Sequence, residues 1–493
     1  MNCLKISSIA LLLISLGSCK KFQDFQVNPN NPTVADPSLL LTNLEKTAFS
    51  TISTDPALAC RYLAYTEGAS NSQYYGWQRG SFTYGNISQT VKMEQEAVRV
   101  GKTNYRYIAK FLRSFFVVDM TETFGDIPYS QMMQSISDNN FTDSSAVRPV
   151  YDKQQDVYLG VLNELKIASD SLSSTAVAIG GDIIYNGKID QWRKLINSYT
   201  LRVLMSLSKK EANTTLNIKQ RFSDIVSNPA KYPIFASNGD NGELPYYNIT
   251  GNQYVYYNDN SMKTDFYLDS SFVDLLQGLK DPRLFVFGEP TTASGLAAGD
   301  FNAYDGLVGS APLAYNTGKR GEGKASQINR RYAYDATNEP SVLMGYAEVQ
   351  FLLAEAAFRG WISGDANAFY KKGVEASLDF SNFGDTYSAS DITNYLGQPG
   401  LDLQTGTELK QIVTQKYISM FMNTDWQPFY EQRRTGYPVF ETAGSGVLNG
   451  GKIPTRWMYP SDEYTNNAVN VNNAVKSQYS GNDDVNGVMW LIQ

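Results

Sequence analysis

The chain of 493 residues contains no histidine, three cysteines and six tryptophans. Without histidine there can be no Ser-His-Asp or Cys-His nucleophilic site, no His-ligated zinc and no two-His iron site. Cations are outnumbered: 42 Lys and Arg stand against 49 Asp and Glu, a formal net charge of -7. Nucleic-acid phosphates demand a basic footprint, so that partner is excluded and a neutral or weakly charged one is expected. Long hydrophobic runs are missing as well. The clearest run, Ile9 to Ile14, falls far short of the roughly 20 apolar residues that span a bilayer.

Tyrosine, by contrast, is abundant, with 33 copies. Its flat apolar ring and its hydroxyl, which both donates and accepts, suit wet recognition surfaces as well as cores. The length allows about two to four domains, or one large repeat-built domain.

The N-terminus combines Lys5, the apolar run and small residues Gly17 and Ser18 before Cys19. This is the layout of a secretory signal over residues 1–18. Leu16-Gly17-Ser18-Cys19 resembles a bacterial lipobox, which implies that Cys19 carries lipid and anchors the chain. Residues 20–37 hold three prolines and three asparagines without periodicity, and read as a tether. Cys3 belongs to the signal and Cys60 lies in an apolar helical pattern, so no disulfide is available and Cys60 reads as a small core residue.

From Ser38 onward the pattern is helical. Leu40, Leu41, Leu44, Ala48 and Phe49 keep a spacing of three and four. So do Ile108 to Phe116, Val157 to Ile167, and Trp192 to Val203. The clearest pair runs from Val342 to Trp361 and, after a Gly364-Asp365 turn, from Ala366 to Phe380. Mixed large and small apolar residues there let two helices interlock closely, as in a tetratricopeptide-type hairpin. Between about 230 and 335 Gly, Asn, Asp, Pro and Tyr dominate, apart from a short Ser271–Leu279 helix. A structureless loop of that length is improbable in a compact domain, so an irregular lobe with short strands is expected, and such lobes carry function.

Several stretches together carry a family resemblance: Ser18-Cys19-Lys20-Lys21-Phe22, Asn28-Pro-Asn-Asn-Pro-Thr33, Lys110 to Asp119 and Phe124-Gly-Asp-Ile-Pro-Tyr129, and Arg148-Pro-Val-Tyr-Asp152. Tyr346 to Glu355, Ile412 to Tyr417, Glu431 to Pro438, and Ile453 to Pro460 with Glu463 and Tyr464 follow in order. The chain resembles the SusD/RagB family of nutrient-binding outer-membrane lipoproteins over nearly its whole length. The resemblance implies a mainly α fold: one domain over 38–493, built on tetratricopeptide-like hairpins, with the loop-rich region of about 230–335 at the ligand face. It also implies a lipid-anchored protein facing the exterior of a Bacteroidetes-type outer membrane. There it would bind oligosaccharide and pass it to a SusC-like TonB-dependent transporter. One departure is that Lys20 and Lys21 follow the cysteine and Asp24 is the first acid, where surface-exported members often carry acids.

Sugar capture needs flat faces for C–H surfaces and short polar groups for hydroxyls. Three Gly-flanked, Asn/Gln-rich clusters offer them: Tyr74, Tyr75 and Trp77 with Tyr84; Tyr246 and Tyr247; and Tyr254, Tyr256 and Tyr257. Tyr254 and Tyr256 alternate as one face of a strand would. Trp77 is the leading candidate, since the resemblance places a ligand aromatic on a loop in that early region. Arg433, Arg434 and Arg456 are expected to pair with acids or carbonyls in the scaffold, and Gly125-Asp-Ile-Pro128 to stop a helix.

Other motifs fail on chemistry. Gly318 to Lys324 has P-loop spacing, but Ala325 replaces the required hydroxyl and no strand precedes it, so it reads as a basic surface loop. Gly444 to Gly450 has one residue too many for a dinucleotide loop and reads as a flexible turn. Asn238 to Glu243 offers oxygen ligands for a structural calcium without a full calcium loop. A two-carboxylate hydrolase needs no histidine, yet no acid-bearing motif singles one out. The sequence therefore reads as a non-enzymatic binder that needs no cofactor. A peptide-binding member of the same family and a helical-repeat adaptor are its rivals.

Overall fold

The structure, a computed structural model, describes residues 35–493. The signal segment, Cys19 and most of the tether lie outside the described residues. The first helix, α1 (Pro37–Ala48), starts where sequence logic places it. Pro37 occupies its first turn and the Asp36 side chain accepts a hydrogen bond from the Ser38 amide at 2.9 Å, satisfying one of the free donors of a helix start.

Helical hairpins follow. Helices α2 (Tyr84–Arg99) and α3 (Thr103–Phe124) pack on each other and on α1. Helix α4 (Gln154–Ser171) packs against α3, and α5 (Ile189–Ser206) against α4. Helix α3 ends at Gly125, whose φ of 94° is open to glycine and disfavoured for other residues. Ile127 and Asp152 then bridge as a single β pair. The apolar stripes read from the sequence face inward: Phe111, Leu112, Val157, Leu165, Trp192 and Leu195 are all fully buried in the first core cluster.

Beyond residue 230 lies the irregular lobe. Its regular pieces are short: β2 (Gly242–Leu244), β3 (Phe266–Leu268) and α6 (Ser270–Leu279), with one-turn helices between. Strand β3 pairs antiparallel with β1 (Leu63–Tyr65), and β2 pairs antiparallel with β4 (Ser341–Met344). The lobe is thus stitched to one segment from early in the chain and one that follows it. That second pairing corrects one boundary. The expected helix from Val342 begins only at Tyr346, because Ser341–Met344 is drawn into the ladder with β2. The P-loop-like stretch is corrected too. Gly318 to Gly321 forms the end of a helix that starts at Leu313, with Arg320 paired to Glu67 and Lys324 to Glu322.

Helices α7 (Tyr346–Phe358) and α8 (Ala366–Ser381) form the tightest hairpin. Gly373 makes it possible: a Cβ there would sit 2.8 Å from the Phe351 ring. Helices α9 (Glu408–Ser419) and α10 (Gln427–Thr435) complete the second half, and α11 (Ala468–Tyr479) returns to the first. A buried charge network ties them together. Arg202 on α5 holds Glu348 on α7 with two bonds of 2.8 and 2.6 Å. Arg434 on α10 holds Glu355 at 2.6 and 2.7 Å and Glu431 at 2.5 Å. Lys416 reaches Glu431 at 3.1 Å. Arg433 donates to the carbonyls of Glu122 and Thr455, and Arg456 pairs with Asp483. The motif arginines are scaffold, as expected.

Candidate ligand-binding cleft

An opening of about 420 Å³ lies between the C-terminal end of α1, the loop before α5 and the segment after β2. Its apolar wall is Ile52, Ile183, Leu244, Pro245, Tyr246, Tyr247 and Val255; Lys46, Ser50, Asp182, Asn186, Asn252 and Gln253 supply polar groups. Tyr246 is half-buried, with its ring edge-to-face on Tyr254. Tyr247 is 54% exposed and leaves a ring surface to the cleft. Ile249 and Val255 are exposed nearby, so the rim presents apolar side chains to solvent.

The loop that carries these residues is built to hold its shape. The Tyr247 amide donates to the Asn252 carbonyl at 2.8 Å, and the Asn252 amide to the Ile249 carbonyl at 2.9 Å. Gly251 takes the left-handed backbone (φ 89°) that closes the turn. Asn248 Oδ1 accepts from Gln253 Nε2 at 3.1 Å.

The opposite wall is fixed by one carboxylate. Asp182 accepts from the amides of Ile184, Tyr185 and Gly187 and from the Trp192 indole, all at 2.8 to 3.0 Å. Beneath it the buried Glu45 accepts from the Ile183 amide at 2.8 Å. Burial, reinforced by Asp182 beside it, pushes the Glu45 carboxyl up to about 10, so it is protonated at neutral pH.

The expected ligand aromatics divide. Tyr246 and Tyr247 line the cleft together with Asn252 and Gln253. Four others are corrected to core. Trp77 is only 5% exposed and stacks on Trp457 with ring centroids 3.9 Å apart. Tyr75 is buried with its hydroxyl donating to the Ala59 carbonyl at 2.8 Å, and Tyr74 and Tyr254 are buried as well. Trp77, Tyr75 and Tyr254 belong to a second core cluster and Tyr74 is buried next to Tyr75 in sequence, so none is free to stack on a sugar. Tyr84, Tyr256 and Tyr257 are half-buried. Tyr256 accepts from the Thr54 amide, and the Tyr254–Tyr257 stretch is a turn, which removes the expected strand face.

The calcium candidate is likewise engaged elsewhere. Asp240 accepts from Lys194 and from the Ala236 amide, and Asn241 Oδ1 accepts from the Tyr346 amide. Among the described residues no group of three Cys, Asp or Glu is placed to share a metal. Cys60 is fully buried, and burial raises its thiol far above its usual range, which makes it inert.

Lys46, Asp182, Ile183, Asn186 and Val255 were missed in the sequence. They come from three separated segments, and no local spacing brings them together.

Fold and cleft define a ligand-binding protein made of helical hairpins, with an open, tyrosine-bearing cleft on an irregular lobe. The chain belongs to the SusD-like family: the family model described as "Starch-binding associating with outer membrane" matches residues 29–460. A SusD homologue from Bacteroides fragilis is 39% identical, with a TM-score of 0.84, over 93% of this chain and 99% of that one. An outer-membrane protein from Bacteroides vulgatus associated with nutrient binding is 37% identical, with a TM-score of 0.85, over 93% of this chain and all of the other. A chitin-binding protein is 25% identical, with a TM-score of 0.75, over 93% and 99% of the two chains. No curated protein matches the sequence. No helix among the described residues is long and apolar enough to cross a membrane.

Proposed function

We propose that this SusD-like protein captures oligosaccharides at the Tyr246/Tyr247 cleft and delivers them, unaltered, to a partner TonB-dependent transporter in the outer membrane. The cleft carries the reading. A ring exposed at Tyr247 offers a stacking face, Asn252, Gln253 and Asn186 offer short hydrogen-bonding groups, and the 420 Å³ opening admits several sugar units. Lipid on Cys19 would confine the binder beside the pore and raise the local ligand concentration, so modest affinity suffices. No covalent step and no cofactor is required.

The test is calorimetry with starch-derived and chitin-derived oligosaccharides. Tyr247→Ala is expected to weaken binding by roughly 1–3 kcal/mol, the scale of one aromatic contact, without lowering thermal stability. Peptide binding with no response to any glycan would replace the reading.

A further inference from the structure

A second pocket, of about 220 Å³, shares no lining residue with the tyrosine cleft and is lined by Asp119, Thr123, Phe124, Asp425, Trp426 and Trp457 among others. Three of the six tryptophans gather here. Trp426 stands edge-on to Trp457 at 4.8 Å, and Trp77 backs Trp457 from the core. Trp77 Nε1 is buried with no hydrogen-bond partner among the described residues. The frame is held on both sides. The Trp457 amide donates to the Thr123 carbonyl of α3 at 3.1 Å, and the Asp425 amide to the Thr51 carbonyl at 2.9 Å. Thr424 and Asp425 both take left-handed backbone, φ 61° and 50°, a conformation costly for a β-branched residue and kept only where the surroundings impose it.

Two carboxylates, on Asp119 and Asp425, line this pocket, and no lysine or arginine does. Burial pushes Asp119 up to about 6; burial, then the neighbouring Asp119 and Asp55, pushes Asp425 up to about 8. The buried Glu348 and Glu355 each have a built-in cation, Arg202 and Arg434. No cation lines this pocket, so an ammonium group entering it would find two half-buried carboxylates free to pair with it. A metal alone would make no use of the tryptophan walls. A flat, C–H-faced body carrying an ammonium group would use both, stacking on indole while its nitrogen is held by carboxylates and by the aromatic faces.

We infer that the Asp119/Asp425/Trp426/Trp457 pocket is a second ligand site, selective for a single amino-sugar unit with a free, protonated amine. Its small volume suits one unit and not a chain. The site is independent of the tyrosine cleft, so either can fail without the other.

The test titrates a glucosamine pentamer and its fully N-acetylated counterpart into the folded protein, reading tryptophan emission and heat. The free-amine pentamer is expected to perturb tryptophan emission and to bind at least tenfold tighter. Asp119→Asn with Asp425→Asn should erase that preference, whereas Tyr247→Ala should leave it intact. Equal affinity for the two pentamers, a preference that survives the double asparagine variant, or a lysine peptide binding as well as the amine pentamer would each overturn the inference. Should the double variant not fold by circular dichroism, the preference of the wild-type protein decides alone.

Discussion

Trp77 shows how little an aromatic's sequence context says about which way its ring faces. Its loop is rich in Gly, Asn and Gln, the setting of a binding residue, yet Trp457, 380 residues away in the sequence, covers its face. Trp77→Ala is therefore expected to cost about 3–5 kcal/mol of stability, the range for emptying a core aromatic site, seen as a lower midpoint in denaturant. Glu45 gives the opposite sign. In the unfolded chain it ionises near its ordinary value of 4.5, whereas in the fold it keeps its proton up to about 10. The native state binds the extra proton across that window, so stability falls as pH rises through it. Glu45→Gln retains a donor for Asp182 and an acceptor for the Ile183 amide while removing the ionisable group. It should stabilise the protein by up to about 3 kcal/mol at pH 7 and by nothing near pH 4.5. Thermal melts of both proteins from pH 4.5 to 8 test this, and parallel curves would refute it.

At the scale of elements, spacing carried most of the information. The stripes of α1, α3, α4 and α5 are visible as three-and-four repeats, and each helix lies where its stripe predicts. The start of α7 was not visible, because Ser341–Met344 takes its conformation from β2, about 100 residues upstream, instead of from its own propensity. The charge network was legible as residue types but not as pairs. Arg434 stands amid Glu431 and Glu355, and its guanidinium holds the Glu431 carboxyl down at about 2. Stability from Glu431 is then present above about pH 4.5 and lost as pH falls toward 2. Arg434→Met leaves two buried acids with less compensation and should cost about 3–5 kcal/mol. At the α7–α8 contact Gly373→Val should force Phe351 aside and lower stability by roughly 1–3 kcal/mol, the cost of overpacking. Denaturant titration measures both.

For the whole molecule, the order of elements puts rigid hairpins on one side and an irregular lobe on the other, joined by β1–β3 and β2–β4. That division was readable from composition alone, since the lobe's Gly, Asn and Tyr content contrasts with the helical stripes. The cleft was only half readable. Tyr246, Tyr247, Asn252 and Gln253 are close in sequence and fall within clusters that the sequence singles out, while Lys46, Asp182 and Asn186 reach it only through the fold. Family membership and a cleft with one exposed ring make glycan capture the central claim. The most direct test is isothermal calorimetry of the folded domain with starch-derived and chitin-derived oligosaccharides, comparing the wild type with Tyr247→Ala. Saturable binding of at least one glycan, weakened about tenfold or more in the variant, is the predicted result; glycan binding that ignores Tyr247, or none at all, would contradict it.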